Sequence, residues 1–268
     1  MAKQFDILVV DDESVIVDAV NKICSAEGLK VDTSPDAGDA ISKVEKNYYR
    51  LIISDIMMPG TDGFQFLETL IKMKVSTPVI ITTGFSTVEN AVKSLYNGAI
   101  DFIPKPFSAD ELLSSVSRGL KYLDIQKNLE DAKKSKNDAS IIYVPCPAKY
   151  YRLGYASWAA PDNSGSVLTG VTDLFLRTID SILEIELSKV DNEIVQGNSS
   201  AQVKSKDNLI HTVLSPVSGK ILEINTRVLN DTSIVEKDPY FNGWFYRIIP
   251  SDNEFELKQL IPCSSDRL

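Results

Sequence analysis

Four short apolar runs in the first 105 residues, separated by stretches whose apolar residues recur at helical spacing, restrict this chain to very few architectures. The runs cover residues 5–10, 50–55, 78–83 and 99–103. After the first, Ile16, Ala19, Val20, Ile23 and Cys24 share one helix face, and Gly28 ends that helix. Phe64, Leu67, Leu70 and Ile71 mark a second helix, and Val88, Ala91, Val92 and Leu95 a third that closes near Gly98. Strands joined by helical crossovers run parallel and are covered on both faces, which predicts an α/β doubly wound domain. Its last helix opens on Ser108-x-x-Glu111, a capping box, and carries Leu112, Leu113, Val116, Leu120 and Leu123.

The texture then changes twice. Residues 126–139 are charged and poor in apolar side chains, as in a solvated tether or a weak coiled-coil stem. From 141 onward, β-branched residues alternate with polar ones between Gly, Pro and Asn turns, as in 166–172, 181–187 and 220–225. The expected organisation is an α/β domain over 1–122, a linker with a helical extension over 123–140, and a small β-rich domain over 141–268.

Composition narrows the function classes. The chain has 268 residues, 43% hydrophobic and 24% charged, a soluble globular mixture long enough for two domains. A net charge of −9 argues against a nucleic-acid-binding surface. No apolar run approaches the ~20 residues that span a bilayer, and the N-terminus lacks a signal peptide's apolar core. The three cysteines, Cys24, Cys146 and Cys263, are scattered without a Cys-x-x-Cys pair, which fits a reducing cytoplasm and no thiolate metal site. Cys146 and Cys263 lie near the two ends of the second half; unpaired thiols are the preferred reading, and their pairing stays open. The single histidine, His211, cannot form a metal cluster alone and is read as a structural or surface residue.

In an open α/β sheet, ligands sit beyond the C-terminal ends of the strands. Those ends carry Asp11 and Asp12, then Asp55, then Thr83, and finally Lys105. Grouped carboxylates repel unless a cation neutralises them, and hard oxygen ligands suit Mg²⁺. A lysine and a hydroxyl beside them supply donors for a phosphoryl group, whose transfer rests on positioning and charge stabilisation.

Val10-Asp-Asp12, Asp55-Ile-Met-Met-Pro-Gly-Thr-Asp-Gly63, Ile81-Thr-Thr-Gly84 and Gly98-Ala-Ile-Asp-Phe-Ile-Pro-Lys-Pro-Phe107 resemble, in order, the receiver domain of two-component response regulators, a flavodoxin-like fold. The resemblance covers residues 1–122. It implies that Asp55 accepts phosphate from a histidine kinase or phosphotransfer protein, and that Asp11 and Asp12 hold Mg²⁺ with Asp55 and the backbone carbonyl of Met57. It implies further that Thr83 is the switch hydroxyl, Lys105 the phosphate-pairing cation and Phe102 an aromatic switch that turns inward. A haloacid dehalogenase-type phosphatase would need an aspartate where Met57 stands.

In the second half, Leu214-Ser-Pro-Val-Ser-Gly-Lys-Ile-Leu-Glu-Ile-Asn225 and Asp238-Pro-Tyr-Phe-Asn-Gly-Trp244 resemble the glycine cleavage system H protein, a lipoyl-type β-sandwich. That family's lipoyl lysine stands seven positions before the serine of Ser-Pro, which is Asn208 here, and its glutamate three residues earlier is Ser205. An amide cannot take the lipoyl group, so lipoate is not expected; Lys204 or Lys206 would serve only if the hairpin were shifted.

Three functions follow. The favoured one is a cytoplasmic, non-enzymatic response regulator whose β-domain is a protein-interaction output with a partner still to be identified. A phosphorylation-regulated lipoyl carrier using Lys204 or Lys206 is the alternative. A transcription factor is weakest, because no helix-turn-helix pattern or basic stripe follows the linker. Neither nucleic acid nor membrane is an expected partner, and the resemblance leaves room for dimerisation through the receiver.

Overall fold

A computed structural model of the chain describes residues 3–84, 87–135 and 142–267. Its first half alternates strictly: β1 (Gln4–Val10), α1 (Ser14–Ala26), β2 (Val31–Ser34), α2 (Ala37–Lys46), β3 (Tyr48–Asp55), α3 (Gly63–Lys72), β4 (Val79–Thr83), α4 (Val88–Tyr96), β5 (Asp101–Pro104) and α5 (Ala109–Ser135). The strands are parallel in the order β2-β1-β3-β4-β5. This is a doubly wound sheet with its switch point between β1 and β3. Ile7, Leu8, Leu51, Ile52, Ile80 and Ile81 are fully buried, as expected of strands covered on both faces.

The apolar runs predict four strands, and β2 is a fifth. Its sequence, Val-Asp-Thr-Ser, holds one apolar residue, and it lies at the sheet edge, where one-sided pairing demands less burial. The α1 and α3 faces are narrower than their spacing implies, since Ala19 and Ile71 are exposed. The capping box at Ser108 forms: its backbone N–H donates to Glu111 Oε2 at 2.7 Å, and the Glu111 N–H donates to Ser108 Oγ at 3.2 Å. Helix α5 continues to Ser135 through much of the charged stretch; residues 136–141, where the expected linker meets the β-domain, lie outside the described residues.

The second half is antiparallel. It comprises β6 (Tyr151–Leu153), β7 (Ser157–Pro161), β8 (Val167–Val171), α6 (Asp173–Thr178), β9 (Ile182–Leu187), β10 (Glu193–Ile194), β11 (Ser199–Ser205), β12 (Ile210–Leu214) and β13 (Gly219–Ile224). One-turn helices α7 (Thr226–Asn230) and α8 (Ser233–Lys237), β14 (Tyr246–Pro250), α9 (Asn253–Leu257) and β15 (Ile261–Pro262) complete it. A sheet ordered β10-β13-β14-β8-β7-β6-β15 faces the smaller sheet β12-β11-β9 across an apolar core that includes Val167, Val203, Ile221 and Ile248. The return into β13 needs Gly219, at φ +153°, because a Cβ there would lie 2.0 Å from the Ile249 carbonyl oxygen.

Cys146 and Cys263 share a buried cluster with Trp158 and Tyr240, and no disulfide joins them. A further cluster is continuous between the halves, joining Leu95, Ile100 and Val116 to Leu153, Tyr155 and Phe175. The rings of Tyr122 on α5 and Tyr155 are 5.1 Å apart across this seam. Among the described residues, no helix is long and apolar enough to cross a membrane.

Candidate functional site

Parallel register brings the strand ends level: Val10 pairs with Ser34 and Ser54, Asp55 with Thr82, and Thr83 with Pro104. Asp55 and Thr83, the last residues of their strands, and Asp11 and Lys105, one position beyond theirs, therefore reach a common mouth. Asp11, Asp12 and Asp55 each offer a carboxylate oxygen, and these oxygens lie within 4.8 Å of one another. Asp11 and Asp55 are buried and Asp12 is exposed, so the group opens to solvent on one side. Lys105 Nζ sits 2.8 Å from Asp11 Oδ2 and 3.4 Å from Asp55 Oδ2. It also reaches Glu13 Oε1 at 3.1 Å, a partner the sequence reading passed over although it directly follows the aspartate pair.

The loop after β3 is tightly held. The Ile56 N–H donates to Asp55 Oδ1 at 2.8 Å, and the Gly63 N–H donates to the Ile56 carbonyl at 2.8 Å. A Cβ on Gly63 would lie 2.2 Å from the Asp55 carbonyl oxygen, so only glycine lets α3 start this close to the site. Met57 lies in this loop with an exposed side chain. Thr83 is fully buried at the end of β4, and its carbonyl accepts from the Lys105 N–H at 2.8 Å. Phe102 is already buried, packed in a cluster with Ile81, Ala91 and Ala99.

Burial raises the Asp55 pKa, Lys105 opposes that rise, and the Asp11 charge adds to it. Burial also disfavours charge on Lys105, but the hydrogen bonds to Asp11 and Glu13 and the charges of Asp11 and Asp55 outweigh it and raise its pKa. The result is a carboxylate costly to keep charged beside an ammonium that stays charged. Three clustered carboxylates against one inward lysine leave negative charge in excess, so the donor set fits a hard divalent cation.

Residues 7–117 match the family model described as response regulator receiver domain, and residues 149–265 match that described as glycine cleavage H-protein. The chain joins a receiver domain to a glycine cleavage H-protein domain. The C4-dicarboxylate transport transcriptional regulatory protein DctD of Pseudomonas aeruginosa is 38% identical over 117 residues, 44% of this chain and 25% of that protein. The chain therefore spans about a quarter of that relative's length. A CheY-like receiver from Methanospirillum hungatei JF-1 is 32% identical, covering 47% of this chain and 99% of that one with a TM-score of 0.43. A glycine cleavage system H protein from Mycobacterium marinum is 25% identical, covering 44% of this chain and 94% of that one with a TM-score of 0.40.

In the H-protein domain, β11 and β12 form a hairpin with Lys204 opposite Ile210. Lys206, Asp207 and Asn208 are exposed at its tip, and Asn208 has φ +66°. A three-residue hairpin loop closes through a left-handed third residue, and asparagine tolerates that conformation better than lysine does. Lys204 is half-buried on the strand, and Lys206 is the exposed lysine of the tip. Ser205 is fully buried, and its Oγ lies 2.8 Å from Nε2 of His211. His211 is thus no surface residue: its ring lies in the seam between the domains, 1% exposed.

Proposed function

We propose that this chain is a two-component response regulator in which Asp55 accepts a phosphoryl group from a histidine kinase or phosphotransfer protein. Its H-protein domain acts as a protein-interaction output that carries no lipoyl group. The observation that carries the first half is a buried Asp55 carboxylate at a strand end, 3.4 Å from the Lys105 ammonium and grouped with Asp11 and Asp12. An Asp55 oxygen attacks the phosphorus of a phosphohistidine; the P–N bond breaks, an acyl phosphate forms, and the imidazole leaves with the bonding pair. Asp11, Asp12, Asp55 and the Met57 carbonyl would hold Mg²⁺, which supplies charge neutralisation for the transferring oxygens. Lys105 faces the incoming phosphoryl oxygens and Thr83 supplies a hydroxyl, so that Thr83 relays the state of Asp55 to Phe102 on β5.

The receiver is taken to occupy 1–122 and the H-protein domain 141–268, with 123–140 as linker; the run of α5 to Ser135 and the start of β6 at Tyr151 support that division. The regulatory name of DctD belongs to a protein three-quarters of which lies outside the match, so no DNA-binding output is carried over.

Incubation of the full chain with acetyl phosphate and Mg²⁺ is expected to add one phosphoryl group. Borohydride reduction should then convert the acyl phosphate to homoserine at position 55, found by peptide mass spectrometry. Homoserine elsewhere, or no label, overturns the assignment. For the second half, the intact mass after expression with lipoate is expected to be unchanged. A lipoyl mass increment that vanishes in Lys206→Arg would establish the carrier alternative instead.

A further inference from the structure

The hairpin that bears the cofactor in lipoyl-type domains is turned here against the receiver, with β12 packed on α5. Arg118 of α5 is buried. Its Nη1 donates to His211 Nδ1 at 2.9 Å and to Ser114 Oγ at 2.7 Å. Its Nη2 pairs with the Asp101 carboxylate and donates to Ser115 Oγ at 3.1 Å. The other Asp101 oxygen accepts the backbone N–H of Phe102 at 2.9 Å.

On the hairpin side one tautomer satisfies every group. A guanidinium only donates, so Nδ1 of His211 accepts and Nε2 carries the hydrogen. Nε2–H then donates to Ser205 Oγ at 2.8 Å, and that hydroxyl donates to Asp207 Oδ1 at 2.5 Å. An unbroken polar chain therefore runs from the amide of Phe102 to the tip of the H-protein hairpin. Arg118, Ser114, Ser115, Ser205 and His211 are all buried, and an unpaired polar group there is costly, so the members hold or release together.

Beside this chain is a cavity of about 280 Å³ between the domains, lined by Phe102 and Ala91 on one side and Gln202, Ile210 and Leu214 on the other. Packed interiors change between discrete arrangements rather than deform smoothly, and a cavity next to Phe102 gives β5 room for a second one. The far end of the same strand leads directly into Lys105, which touches Asp55.

We propose that Asp101, Arg118, His211 and Ser205 form a latch that holds the H-protein hairpin on the receiver, and that phosphorylation of Asp55 releases it. The hairpin has exchanged the duty of carrying a cofactor for that of docking in cis. The release step rests on Asp55 being the phosphoacceptor; the latch itself does not.

The single histidine makes the latch directly observable, because ring ¹⁵N signals in the full chain come from His211 alone. In the unmodified protein the ring is expected to stay neutral, with hydrogen on Nε2, down to pH 5. After acetyl phosphate and Mg²⁺ it should titrate near the ordinary histidine value of about 6.5. Intact mass in the same sample reports the adduct. An adduct with a ring that still refuses to titrate overturns release, whereas no adduct overturns the phosphoacceptor reading and release with it. Arg118→Gln, and the milder Asp101→Asn, should let the ring titrate without phosphate; a ring that stays neutral in both folded variants overturns the latch. Coupling is reciprocal, so these variants should also raise the adduct yield at limiting acetyl phosphate by about fivefold or more.

Discussion

Asp55→Asn is expected to take up no phosphoryl group from acetyl phosphate, and in metal-free buffer at pH 7 to unfold at a higher temperature than the wild type. The two results have one cause. Burial and the Asp11 charge raise the Asp55 pKa against the pull of Lys105, so the folded protein holds that proton more tightly than the unfolded chain. A carboxyl with a raised pKa contributes its stability below the unfolded value of about 3.9, and that contribution is lost as pH rises through the folded value. Above the folded value the charged group is a net cost. Asparagine keeps the shape and can still accept the Ile56 N–H, but it carries no charge and cannot form an acyl phosphate. The gain should be a few degrees, the scale on which about 1 kcal/mol shifts a chain of this size. Calorimetry and intact mass check both halves. An adduct that persists in Asp55→Asn removes Asp55 from the chemistry, and a lowered midpoint contradicts the electrostatic account of the pocket.

The receiver was legible because its signals are local. Each buried strand is a run of apolar residues, and its C-terminal end is one position further along, so Asp11, Asp12, Asp55, Thr83 and Lys105 could be gathered before any coordinates. Strand β2 escaped because an edge strand with a single valine leaves little hydrophobic trace. The seam was illegible for a different reason. Arg118 and His211 are 93 positions apart, and neither has a neighbour that announces a buried partner. Ser114 and Ser115 read as unremarkable polar residues of a helix face until the H-protein domain covers them. The hairpin lies between these cases: counting back from Ser215 reached Asn208, but only the backbone reveals why asparagine suits that position. Lys206, one of the two lysines the sequence offered as a substitute, is the exposed one, whereas Lys204 is half-buried on the strand.

Acidification from pH 7 to pH 5 should cost the wild type about 2 kcal/mol of folding stability through His211, and His211→Gln should lose that slope. Burial is the largest influence on the ring, and the Arg118 charge acts in the same direction, so its pKa is pushed down to about 3. Lys121 lowers it further, while Asp207 and Asp101 oppose, too weakly to restore it. A depressed histidine is neutral in the folded chain and protonates near 6.5 in the unfolded one. The unfolded state therefore binds more protons below 6.5, and stability falls as pH falls through that window. Asp55 acts with the opposite sign, because acid relieves its charge, so the wild-type slope alone would be ambiguous. The difference between wild type and His211→Gln isolates the ring, since Asp55 is common to both. Glutamine can accept from Arg118 and donate to Ser205 without titrating, which keeps the comparison close to isosteric. Denaturant midpoints at pH 7, 6 and 5 are the measurement. Parallel curves for the two proteins would mean that the ring is not held neutral between the domains, and the seam would have to be redrawn.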